Sequence, residues 1–129
     1  MRLDDITEIG FYKEVDGEDI WECFENTDRD EEWRKDFPLL LAQDTSIAYR
    51  LLLTLNKRLN NMLDHVEKEN KRFVYNYRKN STYTAIQNLN QKGFETIAAE
   101  NGDYVWTLLK YLSTSLNEMN NIYLNYINN

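Results

Sequence analysis

Two stretches of this chain carry apolar residues at alternating steps of four and three, and that rhythm limits the fold more than any other feature. The first runs through Ala48, Leu52, Leu55, Leu59, Met62 and Val66, with Phe73 following after a step of seven. An α-helix turns once in about 3.6 residues, so such steps line up one continuous apolar seam. Glu69 stands in the seam where an apolar residue is due. Asp44, Thr45 or Ser46 can cap this helix, and the pattern carries it to about Arg78. At about 1.5 Å per residue it would be roughly 50 Å long.

The second stretch runs through Val105, Leu109, Leu112, Leu116, Met119, Tyr123 and Tyr126, widened by Trp106, Leu108, Ile122 and Ile127. Between the two, Tyr83, Ile86, Leu89, Gly93 and Ile97 keep helical steps after a connection at residues 80–82, where Ser81 or Thr82 can cap. Gly93 marks either a close contact between helices or a break into two shorter ones. Asn101, Gly102 and Asp103 end that helix and start the next, with Asp103 as the expected cap. Two long seams with a shorter helix between them predict a mainly α chain, an antiparallel three-helix bundle. The first seam would overhang its neighbours, which favours self-association near Tyr75 and Tyr77 and a homodimer.

Ahead of these helices, residues 9–25 read as a β-hairpin. Asp16 and Gly17 suit a two-residue type I′ turn. Ile9, Phe11 and Val15 alternate in the first strand, and Ile20, Glu22 and Phe24 in the second, with Trp21 and Cys23 opposite. A short helix follows, capped by Thr27 or Asp28 and anchored by Trp33 and Phe37, until Pro38 disfavours helical geometry. The whole, residues 1–129, reads as one domain with a hairpin and short-helix part over 1–44 and a helical bundle over 45–129.

Charge divides at the same boundary. Residues 1–44 hold fifteen Asp and Glu against five Lys and Arg, a net of −10, whereas residues 45–129 hold seven against ten, a net of +3. An acidic surface of this density presents anions to a basic groove and can compete with nucleic acid for it. The residues expected to meet a partner are Glu14, Asp16, Glu18, Asp19, Glu22, Asp28, Asp30, Glu31 and Glu32, with Trp33 among them. The partner so implied is another protein, of the nucleic-acid-binding kind, and the role that of an inhibitor or regulator such as phages and mobile elements carry. The plainer reading of the same charge is solubility and pairing with the chain's own basic part.

Side chains for catalysis are few. The one histidine, His65, and the one cysteine, Cys23, lie far apart and without metal-ligand spacing. Asp28, Asp30, Glu31 and Glu32 could hold a hard cation, but a solvated helix start explains them more simply. Gly10, Gly17, Gly93 and Gly102 are isolated and form no phosphate loop. Acidic neighbours make Cys23 a poor nucleophile, and it has no second cysteine to pair with. The acidic start lacks an apolar leader pattern, so the expected compartment is the cytoplasm, or host cytoplasm for a viral gene. No cofactor and no enzymatic activity are expected. Sixteen asparagines are read as solvated helix faces and caps.

Two alternatives attach to the first seam. Lys57, Arg58, Lys68, Lys71, Arg72, Arg78 and Lys79 run along it, with Phe73, Tyr75 and Tyr77 among the last of them. Basic residues with interleaved aromatics grip phosphates and stack on bases. Arg58 and His65, seven residues apart, share a helix face. An Arg, six residues and a His on a helix resembles the motif of HEPN ribonucleases, and this resemblance implies a small helical dimer that cleaves RNA through Arg58 and His65. It covers those two residues, and the position after the Arg is Leu59.

Overall fold

The structure, a computed structural model, describes residues 45–128, the side chain of Ile47 excepted. The hairpin at 9–25, the short helix after it and the acidic partner surface from Glu14 to Trp33 lie outside the described residues. The described part is helical throughout: α1 (Thr45–Glu69), α2 (Lys71–Tyr77), α3 (Ser81–Gln87), α4 (Gln91–Glu100) and α5 (Gly102–Ile127).

The chain runs up, back and up. Arg78 reaches Asp64 and Glu67, Gln87 reaches Asn56 and Asn60, and the Phe94 ring lies 5.1 Å from that of Tyr49. Partner numbers on α1 fall as the chain advances, so α2, α3 and α4 together form an antiparallel return. The α5 helix then runs parallel to α1, because His65 meets Tyr123 and Asn70 meets Tyr126. Among the described residues the two long helices make the most extensive contact.

The expected helix through Arg78 ends instead at Glu69. Asn70 is the reason. Its N–H still donates to the Val66 carbonyl at 2.8 Å, but its backbone turns to φ −152° and ψ 87°, and its side chain accepts from the Phe73 N–H at 3.1 Å. One residue thus closes α1 and caps α2. The gap that Glu69 leaves in the seam is the end of the helix, and Glu69 itself is exposed. The overhang argument for self-association falls with this shortening. At 25 and 26 residues, α1 and α5 are matched in length.

Asparagine punctuates the rest of the return. The Asn80 side chain accepts from Thr82 and Tyr83, Asn90 from Gly93, and Asn101 from Tyr104. The caps expected at Ser81 or Thr82 and at Asp103 sit inside the first turns instead, where Asp103 meets the positive end of α5. Gly93 lies in the first turn of α4, following a break at residues 88–90, so the middle segment is two helices. A Cβ on Gly93 would come within 3.2 Å of the Asn90 side-chain oxygen that caps this turn, which favours glycine there.

The core follows both seams and broadens them. Ala48, Leu52, Leu55, Leu59 and Val66 are buried, but so are Leu51 and Leu63, while Met62 is only partly covered. Two neighbours, α5 and the return, flank α1, so its apolar stripe must be wider than a two-helix seam. From the return come Val74, Tyr83, Ile86 and Phe94; α5 supplies Val105, Trp106, Leu108, Leu109, Leu112 and Met119. Among the described residues no helix is long and apolar enough to cross a membrane.

Two substitutions test this packing by urea denaturation. Phe94→Ala should cost about 3–5 kcal/mol, the usual range for emptying a fully buried aromatic site. Asn80→Ala should cost about 1 kcal/mol through the lost cap, and Asn80→Asp should restore most of it.

Candidate functional site

The reversal at Asn70 gathers the side chains of greatest chemical interest into one corner. Within α2, helical geometry turns Val74 into the core and Tyr75 outward, and leaves Lys71 and Arg72 exposed on the preceding turn. Two residues past α2, Lys79 places its Nζ 4.2 Å from the centre of the Tyr75 ring, a cation–π contact. Tyr75 is nonetheless 63% exposed, the largest exposure among the outlying apolar side chains.

Arg78 fixes the floor of this corner. Its Nη1 donates to Glu67 at 3.0 Å and its Nη2 to Asp64 at 3.1 Å. Burial works against its charge, but the hydrogen bond to Asp64, the neighbouring Tyr83 and the charge of Glu67 outweigh it and raise its pKa. The bridge ties the end of the return to the last turns of α1. Together Glu67, Lys71, Arg72, Tyr75, Arg78 and Lys79 line an open groove of about 660 Å³. A neighbouring hollow of about 620 Å³, lined by Asp64, Glu67, Lys68, Glu69 and Lys71, carries mixed charge.

Tyr77, grouped with Tyr75 by sequence, points the other way. Its hydroxyl lies 2.9 Å from that of Tyr111 on α5. Burial pushes the Tyr77 pKa well above its ordinary 10.0. Further along the return, the Asn56 and Gln87 amides exchange hydrogen bonds at 2.6 and 3.2 Å, Gln87 also accepts from Asn60 at 3.2 Å, and the Tyr83 hydroxyl donates to Asn60. These polar groups hold α3 against α1.

Arg58 and His65 have different immediate neighbours on α1. Arg58 lines a shallow hollow of about 480 Å³ with Leu53, Thr54, Lys57 and Asn61, which does not extend to His65. Seven residues of helix separate them by about 10 Å along the axis. The His65 ring lies 5.4 Å from that of Tyr123, on the side of α1 that meets α5. Leu59, the residue after Arg58, is fully buried in the core. Among the described residues no group of three His, Cys, Asp or Glu side chains stands close enough to hold a metal ion.

The turn at Asn70 brings Lys71, Arg72 and Lys79 to one groove with Tyr75. The sequence signal for it was the charged Glu69 in an apolar position followed by a residue that caps helices. The chain matches no family model, no curated protein and no solved structure.

The Tyr77 environment sets an alkaline limit. Its raised folded-state pKa means that above the ordinary tyrosine value of 10.0 the unfolded chain sheds a proton that the folded chain retains. Stability should therefore be intact below about pH 10 and fall as pH rises beyond it, and Tyr77→Phe should flatten that fall in urea titrations at stepped pH.

Proposed function

We propose that the protein is a non-enzymatic binding module in which a helical scaffold carries an acidic N-terminal segment to a basic protein partner, as an inhibitor or regulator of a nucleic-acid-binding protein. The observation that carries this reading is the division of charge, −10 over residues 1–44 against +3 over residues 45–129. Dense carboxylates compete for Lys and Arg groups that otherwise hold phosphates, and they steer association at long range. The arrangement of the scaffold supports the same reading. The Asn56–Asn60–Gln87 set, the Arg78 bridges and the Tyr77–Tyr111 pair join its helices, and the asparagine caps start them.

The partner is captured from the native host with the intact chain as bait. Binding should weaken steeply with salt, and reversal of Asp28, Asp30, Glu31 and Glu32 to lysine should weaken it by tenfold or more. Undiminished affinity after those reversals removes the acidic segment from the interface. His65→Ala and Arg58→Ala should leave partner binding unchanged, and RNA incubated with the native chain should stay intact; cleavage lost in both variants would establish the ribonuclease reading instead.

A further inference from the structure

The groove at the α1–α2 corner is lined by residues whose chemistry differs from that of the acidic segment. Of its four basic side chains, Arg78 is committed to carboxylates, one of which, Glu67, is the only acid lining the groove among the described residues. Three further exposed cations line it: Lys71 and Arg72 on the turn of α2 before the exposed Tyr75 ring, and Lys79 against that ring. Lys71 and Tyr75 are four residues apart, and Arg72 and Tyr75 three, so all three rise from the same side of α2. Asp64, which also bridges Arg78, lies outside the groove lining.

We propose that this groove binds single-stranded nucleic acid, with a base stacked on Tyr75 and flanking phosphates held by Lys71, Arg72 and Lys79. Charge complementarity selects the occupant. A row of cations alone would suit any polyanion, but a ring exposed among them meets the flat faces that only unpaired bases offer between phosphates. A duplex hides those faces, and an acidic peptide has none to stack. Lys79 already lies against the ring, so a base and a phosphate arriving together replace one cation–π contact with stacking and an ion pair. The Arg78 bridges hold the turn that carries Lys79 in register with α1.

The test is fluorescence anisotropy of the intact chain with labelled single-stranded RNA and DNA of about twelve nucleotides, at salt from roughly 25 to 200 mM. Three phosphate contacts predict that the logarithm of affinity falls with that of salt concentration with a slope of about −2. Tyr75→Ala should weaken binding by about fivefold to a hundredfold and Tyr75→Phe by little, as stacking requires. The Lys71→Glu, Lys79→Glu double variant should abolish binding at the lower salt, and Lys92→Glu on α4 should not. These side chains are exposed, so the variants keep the fold, which their circular dichroism checks. Absence of binding by the native chain at the lowest salt overturns the proposal. So does equal affinity of native and Tyr75→Ala chains, or binding of a polyglutamate peptide where the oligonucleotides fail to bind.

Discussion

The contact between the leucine faces of α1 and α5 is the condition on which the rest of the described structure depends. Leu55, Leu59, Leu63, Leu109 and Leu112 have no surface in water, and each such side chain contributes roughly 1.5–3 kcal/mol relative to exposure. None of the three helices of the return could stand alone. Helices of seven to ten residues are unstable in isolation, and each here delivers one or two large side chains, Val74, Tyr83, Ile86 and Phe94, to the cleft that the long pair opens. The return is therefore shaped by its scaffold more than by its own helix-forming tendency. Its polar joints to α1, from Arg78 after α2 and from Tyr83 and Gln87 on α3, fix those segments where apolar contact alone would let them slide.

How much of this could be read from residues alone depended on how many neighbours each helix has. The steps of Val105, Leu109, Leu112 and Met119 and those of Ala48, Leu55 and Leu59 report burial correctly, because a side chain facing a close parallel neighbour has no choice of face. Leu51 and Leu63 escape a single seam, because they lie toward the margin of a stripe covered by two partners. The end of α1 was written at Glu69 and Asn70, but the periodicity resumes at Phe73 in nearly the same phase and hides the reversal. A chain that turns back on itself after a multiple of the helical period leaves little trace in a linear pattern.

The candidate groove was hidden for the same reason. Lys71, Arg72, Tyr75 and Lys79 are plain in the sequence, but only the reversal decides that Tyr75 faces out while Tyr77 meets Tyr111. Two tyrosines of similar sequence context thus have opposite roles, one part of the packed interior and one a surface ring. Charge, in contrast, needs no coordinates. Composition alone separates an acidic part over residues 1–44 from a basic part over residues 45–129.

The asparagines that open α2 to α5 have a consequence for the chain's electrostatic balance. Aspartate is as good an N-cap and better suited to a helix dipole, so capping alone demands no amide at positions 70, 80, 90 and 101, although the Asn70 amide also donates to the Tyr126 hydroxyl. Four aspartates there would take residues 45–129 from a net of +3 to −1. The neutral amide keeps every joint of the return closed without cancelling the positive potential of the region it builds.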